Sequence, residues 1–332
     1  MKKKIITVGK IAAVVFVLLI FLEVSGLFRS RESKVIEIAQ GSGITSISHT
    51  LKENKLISSK VLFVAYSKLA NKTYHSGVHK FMSKSYAKIA DELSKPAKPE
   101  SVMVTIPEGF EQREIATLLE EKGVVSAKEF NSEAKLKNFD YWFLKDIPQR
   151  DMELEGYLFP DTYEFSINES AHSVIEKMLD NFDAKFTDSM KNRAKELGLS
   201  VDKLITMASV VEREAASEDE LPLVAGVFYN RLDATKESVG FLQSCATVQY
   251  ILEERKPVLS LADTQIKSAY NTYINKGLPV GPIASPGLNC INAALYPDKT
   301  DYLYFCADGN GKHYFAKTLS KHQENMKKAG LM

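Results

Sequence analysis

Leu204-Ile-Thr-Met-Ala-Ser-Val-Val-Glu-Arg-Glu-Ala215 is the stretch on which the reading of this chain turns. Ser200 stands where an N-cap belongs and Asp202 falls in the turn after it, which together predict a helix. Val201, Leu204, Ile205, Ala208, Glu212 and Ala215 recur at three- and four-residue spacing, so they share one face, and Arg213 and Glu214 fall off it. Glu212 therefore occupies a position where an apolar residue is expected. Burying an ionised carboxylate is costly, and the usual response is a raised pKa, which suits a group that donates a proton near neutral pH. The structural alternative is a buried Arg or Lys partner for Glu212, and periodicity alone leaves both readings open.

The rest of the chain bounds what that helix serves. At 332 residues, 45% hydrophobic and 26% charged, there is material for two domains with ordinary cores. Lys plus Arg number 43 against 42 for Asp plus Glu; this balance offers no general attraction for nucleic acid, and none is expected as a partner. Met1-Lys-Lys-Lys leads into the apolar run Ile5 to Phe28, broken by Lys10 and Glu23. Residues 1–28 read as a membrane anchor with its basic end in the cytoplasm, and 29–34 as a polar linker. The shorter run Ile11 to Leu22, followed by Val24-Ser25-Gly26, fits a cleaved signal peptide instead. Both readings place everything after Arg29 outside the cytoplasm. Cys245, Cys290 and Cys306 are odd in number and lack metal-ligand spacing; they read as small buried thiols, with one disulfide pair outside the cytoplasm as the alternative. Neither a catalytic metal nor a cofactor is expected.

Val35 to Leu62 repeats in Val102 to Glu129, pairing Ile38 with Ile106, Gly41 with Gly109, Ile47 with Ile115 and Leu51 with Leu119. Each copy reads as strand, glycine turn, helix, loop and second helix, a layout that resembles the glycan-binding LysM modules. A repeat region over 35–131 follows, with a mere spacer as the alternative. Next, Leu154-Glu-Gly-Tyr-Leu-Phe-Pro-Asp-Thr-Tyr163 offers Tyr157, Phe159 and Tyr163 for stacking on sugar rings, and Glu155, Asp161 and Thr162 for hydrogen bonds to hydroxyls. Aromatics so spaced also serve as core. One helix is predicted from Ala171 to Leu197 with Gly198 as its C-cap, and another from Leu221 to Leu232. The Gly/Pro-rich Gly277 to Gly287 reads as a site-shaping loop. Asp308-Gly-Asn-Gly311 predicts a hairpin, and Ser320 to Lys328 a closing helix.

Read together, Glu155 to Tyr163, Ala208-Ser-Val-Val-Glu-Arg-Glu214, Phe228-Tyr-Asn-Arg-Leu232, Leu242-Gln-Ser244, Tyr270-Asn-Thr-Tyr273, Gly277-Leu-Pro279 and Tyr302-Leu-Tyr-Phe305 with Ala307-Asp-Gly309 resemble the MltG (YceG-like) family of endolytic murein transglycosylases. The resemblance implies an α+β protein with an N-terminal membrane helix, LysM-like modules and a mixed catalytic domain over 132–332. It implies a lyase that cuts the MurNAc–GlcNAc bond of nascent glycan strands, leaves 1,6-anhydro ends and so terminates elongation. Peptidoglycan is then the substrate, and wall synthases are the neighbours. Glu212 matches the family's catalytic glutamate. The Glu155 to Tyr163 segment and Arg231, Gln243, Ser244, Asn271, Thr272 and Tyr273 would line the groove. The substrate's own hydroxyl serves as nucleophile, so a second catalytic carboxylate is not required. Cys245-Ala246 stands where the family often has Asp-Pro; if that acid contributes elsewhere, Glu155 or Glu214 would replace it here. A hydrolytic muramidase and a non-catalytic wall-binding scaffold are the rival expectations.

Overall fold

The computed structural model describes residues 24–25, 33–83, 85–97, 100–233, 235, 240–252 and 254–331. The expected anchor and linker lie almost wholly outside these. Among the described residues no helix is long and apolar enough to cross a membrane. The chain divides into two compact units, 1–100 and 101–332.

In the first unit β1 (Lys34–Ile38) leads through Gly41 into α1 (Ile44–Glu53) and α2 (Lys60–Ala70). Next, β2 (Gly77–Phe81) returns antiparallel to β1, with Ile36 opposite His79, before α3 (Tyr86–Leu93). Alternation puts Ile36 and Ile38 on the inner face of β1, where they meet Ile47 and Leu51 of α1, Phe63 of α2 and Ile89 and Leu93 of α3. This strand–helix–helix–strand unit thus closes its own small core.

The second unit begins with the same order. β3 (Ser101–Thr105), a turn at Gly109, α4 (Gln112–Glu121) and α5 (Ala127–Glu133) reproduce the first copy, and Gly41 and Gly109 both sit at φ +75°, a conformation that favours glycine. The strand that closes the repeat arrives late: β4 (Thr162–Ser166) pairs antiparallel with β3, Thr105 opposite Thr162. Ile115, Leu119, Val125 and Phe130 are buried in the second unit's core. The division between Glu100 and Ser101 therefore falls between the two copies, earlier than the boundary at 131 and 132 that the repeat suggests.

The helical layer consists of α6 (Ala171–Lys185), α7 (Asp188–Glu196), α8 (Val201–Glu214), α9 (Leu221–Leu232), α10 (Cys245–Ile251) and α11 (Leu288–Leu295). The single helix predicted from Ala171 to Leu197 is two, because Phe186 leaves helical geometry and the Thr187 side chain caps a new start by accepting from the Met190 N–H. The hairpin comes as predicted, β5 (Tyr304–Ala307) against β6 (His313–Ala316), and α12 (Leu319–Lys328) closes the chain. At the centre is α8, packed against α7, α9, α10 and α11.

Candidate active site

The Ser200 side chain caps α8 by accepting from the Lys203 N–H, as its sequence predicts. Surrounded by four helices, α8 is buried on every side from Leu204 to Val211. The single apolar stripe read from periodicity is therefore too narrow. Glu212 lies half-buried in the last turn, at the edge of the core rather than beneath it.

Three segments converge on it. From the loop before α11, the Gly287 N–H donates to Glu212 Oε2 at 2.9 Å. From α11 itself, the Cys290 thiol lies within hydrogen-bond reach of the Glu212 carboxylate, and burial first, then that carboxylate, push the thiol pKa up. From the β3–α4 turn, Gly109 backs onto the Glu212 stem, and its carbonyl accepts from Arg213 Nη1 at 3.0 Å. Among the described residues no buried Arg or Lys pairs with Glu212, so the charge-pair alternative finds no support there. One acid that sequence reasoning missed stands alongside: Glu108, whose pKa is raised by burial first, then by Glu212 and Glu218.

The loop that delivers Gly287 is fixed from behind. Residues 281–287 are all buried, and the Ile283 N–H donates to Ser209 Oγ on α8 at 3.0 Å. The same loop joins the β3–α4 turn through Gly109 N to Ser285 O and Ser285 N to Phe110 O, each 2.8 Å. Gly281 lies where a side chain would collide with the Arg150 guanidinium, which pairs with buried Asp202 at 2.9 Å. A carboxylate at the first turn of α8 is thus also half of a buried ion pair, completed by the Tyr157 hydroxyl at 3.0 Å.

This architecture reassigns much of the expected groove. Tyr157 is fully buried, and Phe159 and Tyr163 are nearly so. Their rings pack among Phe143, Phe165 and Phe182, leaving no exposed face on which a sugar could stack. Glu155 is also internal, accepting from the Gln112 N–H at 3.0 Å and the Tyr250 hydroxyl at 3.0 Å. Asp161 and Thr162 are exposed, but Asp161 accepts from the Thr162 N–H and from Asn181, and Thr162 meets the Thr105 hydroxyl across the sheet. Asn271 and Thr272 are buried struts: Asn271 donates to the Thr264 and Ile266 carbonyls, and the Thr272 hydroxyl accepts from the Ser244 N–H.

Arg231, Gln243, Ser244 and Tyr273 do come together, with Cys245 and Glu214, along a groove of about 740 Å³ bordered by β5, β6 and α12. Glu212 is not among its lining residues. On a helix, Glu212 and Glu214 point roughly 200° apart, so the groove lies on the Glu214 side of α8. Glu214 itself is committed to the fold: it accepts from Ser244 Oγ and from the Ala246 N–H at 3.0 Å, holding the start of α10. Burial raises its pKa against those hydrogen bonds. Glu155 and Glu214 are thus both held by hydrogen bonds within the fold. The Cys245 thiol lies 3.0 Å from the Tyr273 hydroxyl. All three cysteines are free; Cys290 and Cys306 are buried, whereas Cys245 is exposed, contrary to expectation.

Comparison with known proteins gives the chain its relatives. The profile of the YceG-like family matches residues 36–328. The chain is similar to the endolytic murein transglycosylase of Bacillus subtilis (strain 168), at 34% identity over 312 residues, 90% of this chain and 85% of that protein. It is also similar to the endolytic murein transglycosylase of Streptococcus pneumoniae serotype 2 (strain D39 / NCTC 7466), at 32% identity over 90% of this chain but 58% of the longer relative. Among solved structures, a yceG-like protein from Listeria monocytogenes superposes with a TM-score of 0.59 at 32% identity, covering 89% of this chain and 100% of that one.

Proposed function

The chain belongs to the YceG-like family, and from that membership we propose that it is a lytic transglycosylase of peptidoglycan whose single acid and base is Glu212. The observation that carries the assignment is the position of this carboxylate, half-exposed at the end of a buried helix and held by the Gly287 N–H at 2.9 Å. A group so fixed can move a proton without first being reoriented.

Glu212 protonates the oxygen between MurNAc and GlcNAc as the C1–O bond breaks. The muramyl 6-hydroxyl then attacks C1 and gives its proton to the Glu212 carboxylate. The proton count closes and no water is consumed. General acid–base work of this kind contributes on the order of a hundred- to ten-thousandfold. The groove of Arg231, Gln243, Ser244 and Tyr273 lies on the Glu214 side of α8, so the bond that Glu212 cleaves is held outside it, and the groove's part is at most a contact with a more distant stretch of the glycan.

Several finer readings belong with this one. The strand–helix–helix–strand order of residues 34–81 supports a LysM-like glycan contact in the first unit. The basic start and the apolar run Ile5 to Phe28 support a single-pass anchor with the catalytic unit outside the cytoplasm. An enzyme so tethered cuts strands as they emerge and terminates their elongation, beside the synthases that make them.

Mass spectrometry of products released from purified peptidoglycan by the full chain tests the reaction. Anhydromuramyl ends, lighter by one water than reducing ends, are expected. Reducing ends would instead identify a muramidase, and bound glycan with no products a scaffold; either result would overturn the proposal.

A further inference from the structure

In the first unit, α2 turns one face to its own core and another to solvent. Phe63 and Tyr66 pack inward, whereas Val61, Ala65, Lys68 and Leu69 recur at three- and four-residue spacing on the exposed face. Two large aliphatic side chains are thereby left in water on one short helix, Val61 at 77% and Leu69 at 87% exposure. The cations beside them are equally unexplained by the fold. Lys60 stands in the first turn of α2, where the helix dipole favours an acid. Among the described residues neither Lys60 nor Lys68 has an acidic partner; Lys72, just beyond the helix, pairs with Asp91. From Lys34 to Lys95 the sequence holds ten lysines against four acids, Glu37, Glu53, Asp91 and Glu92, although the whole chain stands at +1. The basic excess therefore belongs to this unit.

What such a face meets is set by where the unit hangs. The apolar run ends at Phe28 and β1 begins at Lys34, a stretch that reaches about 20 Å at most. Val24, from the end of that run, packs against the first unit's core. A bilayer entered by the run is then the nearest extended surface, and anionic headgroups complement the lysines. We propose that the α2 face of the first unit rests on anionic phospholipid, with Val61 and Leu69 set into the headgroup layer and Lys60 and Lys68 on lipid phosphates. An apolar stripe flanked by lysines is the composition that binds at the bilayer interface, and its strength rises with the anionic lipid content. The inference rests on the reading of residues 1–28 as an anchor and adds a second contact to it. One apolar segment leaves the unit free to turn above the bilayer; a second contact fixes which side faces the lipid.

The test is acetylation of lysines by acetic anhydride, read by mass spectrometry on the full chain in detergent, in phosphatidylcholine vesicles and in vesicles of equal parts phosphatidylcholine and phosphatidylglycerol. Rates at Lys60 and Lys68 are taken relative to exposed Lys137 and Lys203 of the second unit, and flotation of the vesicles checks the anchor separately. In the anionic vesicles the two relative rates are expected to fall about fivefold, and the protection should shrink in about 0.5 M salt. The double variant Val61→Asp with Leu69→Asp, altered only at exposed positions, should lose most of the protection while still floating. Equal rates in neutral and anionic vesicles, from a chain that floats, would overturn the lipid contact and leave the anchor standing. Protection that is already present in detergent would mean that a second copy covers the face, and protection that survives in the double variant would mean that the apolar stripe plays no part; each overturns the proposal. A chain that does not float would overturn the anchor and the contact together.

Discussion

Glu155 lies wholly inside the second unit, and burial first, then Glu111, push its pKa up to about 8 from an ordinary 4.5. The folded protein therefore binds a proton there that the unfolded chain releases near pH 4.5. The sign follows from linkage: the stability gained from that proton is complete at low pH and is lost as pH rises from about 4.5 through about 8. Melting temperature is expected to fall between about pH 5 and pH 8, with up to roughly 4 kcal/mol at stake. Glu155→Gln should flatten the fall, and parallel slopes for variant and wild type would refute the assignment. The contrast among the acids also shows what a sequence reveals at this scale. Glu212 stands out in the sequence because helical spacing and family motif mark the same residue. Glu155 carries an equally clear motif, yet its motif encodes packing. Glu108 does not stand out, since Pro107-Glu108-Gly109 reads locally as a turn and its neighbours Glu212 and Gly287 lie far along the chain.

Between residue and fold, the decisive element is the loop 281–287, and Gly156 is one of its fasteners. Gly156 sits at φ +88°, and a Cβ there would stand 2.5 Å from Pro282 Cβ and 3.0 Å from Ile205 Cγ2. Gly156→Ala is expected to cost about 3 kcal/mol or more, from the backbone strain and the overlap together. Calorimetry should show a clear drop in melting temperature; an unchanged melt would mean that the loop is not pinned there. Most helices were legible within a residue or two, because caps and apolar spacing are local signals. The break at Thr187 was missed since the apolar series Val174, Met178, Phe182, Phe186 and Met190 runs straight through it. The pairing of β3 with β4 joins segments separated by two helices and an aromatic insertion, and no local pattern announces it.

At the scale of the whole chain, the internal repeat was legible but its allegiance was not. Both copies keep the same order of elements, yet Ile115 and Leu119 of the second are buried in the core that also holds Leu204 and Ile205 of α8. The turn of that copy, at Gly109, has become a wall of the acid site, while the first copy closes its own core. One copy is thus built into the core that carries α8, while the other closes a core of its own. Whether glycan is bound apart from being cut is tested together with the role of Glu212. Full-chain wild type and Glu212→Gln are incubated with purified peptidoglycan, and both bound protein and released anhydromuramyl product are measured in each sample. Glu212→Gln is expected to bind as the wild type does while its product falls by two to four orders of magnitude; anhydro product from the variant at near wild-type rate would contradict Glu212 as the acid.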